Sequence, residues 1–246
     1  MGLARAGFFL SVLLVWQLLS MRGLPAYVLS PLEILRHFAA ALGSAELYEH
    51  AGASLARSLP GFAIGAFFGA LLGLAAGVAR GFDRLFSPAV FLTYPVPKIV
   101  MLPIFMLWFG IGDLSKVLII ALACFYPVFI NAYYGAKATP AILVWSALNM
   151  GARRGAIFRR VVVPSAAPMI FAGMRVALAL SFIVMFAAEM INARSGLGHL
   201  IREAENSLRF DLMYVSLLAV AILGYAGDRL VRLAQRRLLG WREQPA

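Results

Sequence analysis

Few side chains in this sequence are placed where they could do chemistry. No GxxxxGK[ST] occurs, so the chain has no loop to cradle nucleotide phosphates and is not expected to hydrolyse ATP itself. Gly52-Ala53-Ser54-Leu55-Ala56 matches a nucleophile elbow only in part, and with no strand before it the segment reads as a helix start. Cys124 is the single cysteine, which excludes an internal disulfide, and His37, His50 and His199 show no metal-ligand spacing. What remains is a set of charges. Lys98, Arg175 and Glu189 sit within apolar runs, where an ionisable group costs ~2.5–3.5 kcal/mol on insertion scales and needs a partner or water. Arg175 and Glu189 are too far apart along one helix to pair, and Arg175 is expected to snorkel towards the inner surface. Lys98 and Glu189 are the candidate pathway residues. An intramembrane protease would need a serine or a carboxylate pair at depth, and Glu189 is the one deep acid.

The chain that must position these groups has 246 residues, 62% of them hydrophobic, with a mean hydropathy of +0.86. Soluble domains hold roughly 45–50% apolar residues, so this is an integral membrane protein of all-α, polytopic class. The net charge of +11 comes from arginines scattered between apolar runs, a pattern of membrane topology and not of nucleic-acid binding.

Six spans are expected. The run 8–24 is read as a membrane helix and not a signal peptide, because no small-x-small cleavage site follows. The polar stretch 25–57 should lie outside. The second span, 59–79, carries Gly61, Gly65, Gly69, Gly73 and Gly77, a repeat that Gly81 continues. Glycine at every fourth position clears a stripe for a neighbouring backbone, belonging either to this chain or to a second copy. A basic turn, Arg80 to Arg84, leads to the third span, 88–109, broken by Pro95, Pro97 and Pro103. Irregular backbone at such depth is tolerated where protein or a water-filled path covers it, which singles out Lys98. Spans at 114–136, 169–191 and 212–231 follow. Between the last two, Leu197, Leu200, Ile201, Ala204 and Leu208 mark a short amphipathic helix.

The most basic block is 139–168. Thr139-Pro140 reads as an N-cap with proline at the first helical position. Ile142, Trp145, Leu148 and Met150 form a loose apolar face, and Gly151 can supply the left-handed residue that ends a helix. A second short helix should bury Ile157, Phe158, Val161 and Val162, present Arg153, Arg154, Arg159 and Arg160, and stop at Pro164. With the N-terminus inside, the cytoplasmic parts, including Arg5, this block and a tail reaching Arg242, hold thirteen of the 22 Lys and Arg. The outer segments, including Arg57 and Lys116, hold seven. That excess places both termini and the block in the cytoplasm.

The spacing Trp145-Ser146-Ala147, three residues, Gly151, nine residues, Val161, one residue, Val163-Pro164 resembles the EAA signature of bacterial ABC-importer permeases, with Trp145 where the family has glutamate. YPVPKIVMLPIFMLWFGIGDLSK (94–116) and SGLGHLI (195–201) are similar to the nitrate, sulfonate and taurine permeases, and the likeness covers the core 55–242 of a single transmembrane domain. The resemblance implies a type I importer fold, in which 139–168 docks onto a separate ATPase and Arg153 and Arg154 belong to the docking loop. It implies an inner-membrane subunit with no cofactor of its own. Its partners would be a second copy, two ATPase subunits carrying ATP and magnesium, a soluble binding protein and membrane lipid, and the solute an anion of sulfonate, nitrate or taurine type. A proton- or ion-coupled secondary transporter is the alternative, which inverted internal repeats would favour. None are apparent.

Overall fold

The computed structural model describes residues 2–23, 25 and 27–240, with side chains from Gly7 onward. The side chain of Arg5, and Arg242 with the end of the tail, lie outside the described residues. The helices are α1 (Gly2–Met21), α2 (Pro31–Ala41), α3 (Ala45–Val78), α4 (Arg80–Thr93), α5 (Leu102–Phe109), α6 (Asp113–Lys137), α7 (Ala141–Asn149), α8 (Arg154–Ile157), α9 (Val163–Asn192), α10 (Leu197–Asn206) and α11 (Phe210–Leu238). A 3-10 turn, Lys98–Met101, precedes α5, and a π turn, Phe158–Val162, joins α8 to α9.

Among the described residues, four helical stretches are long and apolar enough to cross a membrane: Ala45–Val78, Asp113–Lys137, Arg154–Asn192 and Phe210–Leu238. The pair Arg80–Thr93 and Lys98–Phe109, bent by 93°, makes a broken fifth. The first expected span is shorter. Its apolar part, Gly7–Met21, gives about 22 Å of helix against a hydrocarbon core of about 30 Å.

The chain divides into two compact units, 1–54 with 189–222, and 55–188 with 223–246. In the first, Ser30 caps α2. Its hydroxyl accepts the Glu33 N–H at 3.2 Å, the Glu33 carboxylate accepts the Ser30 N–H at 2.8 Å, and Pro31 opens the helix. Those bonds hold the Glu33 carboxyl below its ordinary pKa. Gln17 accepts the Leu32 N–H at 3.2 Å, tying α1 to α2.

In the second unit α6 is the central helix, with Ile119, Ile120, Cys124, Val128, Phe129 and Ala132 fully buried. The glycine stripe of α3 lies against it. A β-carbon on Gly61 would stand 2.6 Å from Ile120 Cγ2, on Gly69 2.7 Å from the Phe125 carbonyl oxygen, and on Gly77 2.5 Å from Ala136 Cβ. Each four-residue step on α3 meets a four-residue step on α6, so the helices run parallel at backbone contact. The neighbour of the stripe is therefore in the same chain, and the stripe alone does not call for a second copy. Gly81 stands apart from it, with nothing within 4 Å, because Ala79 adopts an extended conformation and turns the chain into α4.

Other expectations need correction. Arg80 to Arg84 is the first turn of α4 and not a loop. The polar segment 25–57 is largely helical, containing α2 and the start of α3, a 34-residue helix on which Arg57 lies. Arg57 and Lys116 are buried. Arg57 Nε donates to Asp113 at 2.6 Å, and Lys116 Nζ donates to the Gly112 carbonyl at 3.0 Å. Thr139 does not cap α7, because Pro140 itself is the extended residue before it and its carbonyl accepts the Leu143 N–H. Pro164 does not end a helix. The π turn hands the Val163 N–H to the Phe158 carbonyl five residues back, and the wider turn accommodates the proline ring at the start of α9. Leu208 falls beyond α10 with φ 54° and is exposed, whereas Leu197, Leu200, Ile201 and Ala204 are buried.

Candidate functional site

Three arrangements gather the charged and strained residues. The first is the loop around Gly151. Helix α7 ends in a Schellman pattern, in which Gly151 N–H reaches the Leu148 carbonyl at 2.9 Å and Ala152 N–H reaches the Ala147 carbonyl at 3.0 Å. Gly151 has φ +79° and nothing within 4 Å of where a β-carbon would stand. The apolar residues of α7 point outward. Trp145 is 61% and Met150 80% exposed, with Ile142 and Leu148 also exposed, while Ala147 is buried. Ser146, Arg153, Arg154, Arg159 and Arg160 are exposed, Ile157 and Val162 are buried, and Phe158, Val161, Val163 and Pro164 are half-buried. A cleft of about 670 Å³, lined by residues including Ser146, Met150, Arg160, Val161 and Pro164, runs along this loop. A second, of about 650 Å³, is lined by residues including Lys137, Thr139, Leu148 and Arg154. An exposed tryptophan and methionine beside arginines form a surface suited to a protein groove.

The second arrangement is the elbow between α4 and the 3-10 turn. Lys98 Nζ donates to the carbonyls of Thr93, Tyr94 and Val96 at 2.7, 3.1 and 2.6 Å. Thr93 and Tyr94 close α4 and Val96 lies in the turn after it, so the ammonium spends its full set of donors on the helix end and the elbow. It lies 3.9 Å from the centroid of the Tyr126 ring, and the Thr93 and Tyr126 hydroxyls are 2.9 Å apart. A cleft of about 430 Å³ opens here, bordered by Tyr94, Pro95, Lys98, Tyr126, Ile183 and Ala187, among others.

The third arrangement belongs to the first unit. Glu189 is fully buried at the end of α9. The Ser54 hydroxyl lies 3.0 and 2.8 Å from its two oxygens, and the Gly198 N–H donates to it at 3.0 Å. Ser54 in turn accepts the Leu197 N–H at 2.8 Å. Gly196, at φ +115°, brings its Cα against the Glu189 carboxylate, and its N–H donates to His50 Nδ1 at 3.0 Å. Glu189 thus anchors the turn into α10, whose first amides complement the negative charge.

Sequence reasoning missed several partners. Asp228 pairs with Arg175 at 3.0 Å and with Arg232, so Arg175 is held by protein and not only by snorkelling. Asp83 accepts from Lys137 Nζ at 2.8 Å, and Lys137 also donates to the Tyr133 hydroxyl. The one acid inside the basic run Arg80 to Arg84 was a signal for the second pair. For the first, the isolated acid of an otherwise basic helix end was a signal.

The chain matches the family described as binding-protein-dependent transport system inner membrane component over residues 52–240. It is 35% identical over 232 residues to the putative aliphatic sulfonates transport permease protein SsuC of Escherichia coli (strain K12), covering 94% of this chain and 88% of that one. It is 32% identical over 222 residues to the taurine transport system permease protein TauC of the same organism, covering 88% and 81%. Its structure is similar to a chain from inward-facing conformations of the MetNI methionine ABC transporter, with a TM-score of 0.58, 23% identity, and 76% of this chain and 94% of that one covered. That likeness is one of fold.

Proposed function

The chain belongs to the family of binding-protein-dependent transport system inner membrane components, and from that premise we propose that it forms the translocation pathway of an ATP-driven importer for a small anion of sulfonate, nitrate or taurine type. It is an ABC-importer permease subunit with the type I fold. In the proposed assembly two copies carry two ATPase subunits, which hold ATP and magnesium on the cytoplasmic side, where both termini lie. A soluble binding protein delivers the solute from outside. The observation that carries the reading is the α7–Gly151–α8 loop, two short helices about a glycine turn that leave Trp145, Ile142 and Met150 exposed beside Arg153 and Arg154. The cleft bordered by Lys98 is part of the passage, and Glu189 acts by holding α10.

Reconstitution with the cognate ATPase and binding protein tests this: uptake into vesicles should require ATP and loaded binding protein. Uptake by this chain alone, driven by an ion gradient, would refute it. Gly151→Val is the sharper probe. A β-branched residue at φ +79° is strained by about 1–3 kcal/mol, and because nothing among the described residues lies within 4 Å of the added β-carbon, the damage stays in the loop. The variant should insert and assemble as a dimer, with ATPase binding lost or hydrolysis no longer stimulated by loaded binding protein. Gly151→Asn, which tolerates left-handed backbone, should stay near wild type.

The elbow yields a second expectation. Lys98→Met removes a charge that satisfies three carbonyls, so uptake should fall while co-purification with the ATPase persists. Unchanged uptake would separate Lys98 from the passage.

A further inference from the structure

We infer that α4 is a hinged strut linking the loop at Gly151 to the cleft at Lys98, and that Asp83 and Lys137 are positioning residues pinning its loop-side end. This rests on the proposed coupling role of the loop. Helix α4 has fourteen residues and is therefore a rod of about 21 Å. Both its ends are joints. Ala79, with φ −96° and ψ 102°, interrupts the helix before it, and after it the chain bends by 93° into the 3-10 turn and α5.

The rod is fastened to α6 near each joint. At one end Asp83 accepts from Lys137 Nζ at 2.8 Å, with the Tyr133 hydroxyl as a third member and the ammonium 4.2 Å from that ring's centroid. At the other end Thr93 meets the Tyr126 hydroxyl, Tyr94 packs against the Tyr126 ring with centroids 6.1 Å apart, and Lys98 covers that ring. The contacts at the two ends, Asp83 to Lys137 and Tyr94 to Tyr126, run in opposite chain order, so α4 turns back along α6. Between the pins they interleave aromatic rings: Phe86 with Phe129 at 5.8 Å and Phe91 with Tyr133 at 5.5 Å. Packing of that density moves as a body.

Lys137 is also the last residue of α6 before the loop, and it lines the same cleft as Leu148 and Arg154. A shift of α7 and α8 therefore reaches Asp83 through Lys137, and a rod pinned to α6 delivers it to the elbow that walls the cleft beside Lys98. Exposed ion pairs contribute little to stability, and Asp83 and Lys137 are both partly exposed, so the pair's value lies in where it fixes the rod.

The test uses the complete importer in proteoliposomes with Asp83→Asn, Lys137→Met and the reversed pair Asp83→Lys with Lys137→Asp. ATPase co-purification, hydrolysis and uptake are read together. The single variants should assemble and hydrolyse ATP, with uptake per ATP lowered about fivefold or more, the low end of typical coupling between sites. The reversed pair should restore most of it. Wild-type uptake per ATP in both single variants overturns the strut, and so does a reversed pair as defective as the singles. If a single variant fails to accumulate, the reversed pair decides: coupled uptake by it supports the pin, uncoupled hydrolysis refutes it. The reading of the loop fails separately, if Gly151→Val leaves stimulated hydrolysis intact.

Discussion

Gly65→Val should abolish the folded permease, with the chain lost to aggregation or to a polydisperse species in detergent. The stripe glycines bring α3 into contact with the backbone of α6, and a β-carbon at residue 65 falls on the Ala121 carbonyl oxygen and 2.7 Å from Cys124 Cβ. Neither can yield as the tip of a flexible side chain could. Overpacking a core costs typically 1–3 kcal/mol, and here relief would require separating two helices that pack along most of their shared length. Gly73→Val should behave alike, because residue 73 meets the Phe129 carbonyl and Ala132 in the same way. The controls lie in the same chain. Gly52 and Gly81 have nothing within 4 Å, and alanine there should be neutral or slightly stabilising, since glycine inside a helix costs roughly 0.5–1 kcal/mol relative to alanine. Size-exclusion profiles and thermal unfolding in detergent measure all four. A monodisperse Gly65→Val permease with unchanged unfolding temperature would mean that α3 and α6 do not pack at backbone distance.

Gly196→Ala should suffer two penalties at once. The position has φ +115° and ψ 160°, a conformation that is essentially reserved for glycine and strains other residues by about 1–3 kcal/mol. The added methyl would also fall on the Glu189 carboxylate, which is fully buried and held by Ser54 and the Gly198 N–H. Displacing it leaves buried polar groups unmatched, at about 1–3 kcal/mol each and more for a charge. The turn into α10 should loosen, with a lower unfolding temperature and faster proteolysis of that turn. The two penalties are separable in a double-mutant cycle with Glu189→Ala. Removing the carboxylate relieves the collision and leaves the strain, so the double variant should be less destabilised than the sum of the singles. Strict additivity would show that strain alone acts. Alanine at Gly151, also left-handed but uncrowded, should cost only the conformational share.

The contrast between these glycines shows how much was legible in advance. The four-residue repeat identified Gly61 to Gly77 as a packing stripe, because a helix presents every fourth residue on one slowly drifting face whatever surrounds it. It could not say which helix lies opposite, since a cleared stripe admits any close backbone, nor that Gly81 drops out when Ala79 breaks the helix. The left-handed turn at Gly151 was legible because apolar residues before it, arginines after it and the fixed distance to Pro164 form a local pattern. Helix continuity through Pro164 was not, because the π turn that makes room for the ring depends on packing of Ile157 and Val162. Nor was the latch at Glu189, whose partners Ser54 and Gly198 are distant or unremarkable in sequence.

By itself the sequence determined the class of molecule, most of its helical spans and the glycine turn between α7 and α8, for the physical reason that these are local: hydropathy, helical periodicity and proline and glycine stereochemistry act within a few turns. Tertiary structure decided which charges answer one another. Lys98 with the end of its own preceding helix, Arg175 with Asp228 and Glu189 with Ser54 are pairings in which a charge within an apolar run takes whatever polar partner the packing brings within about 3 Å, and Asp83 meets Lys137 only because α4 folds back on α6. A span shows only that such a partner is required. Its identity depends on how the helices pack.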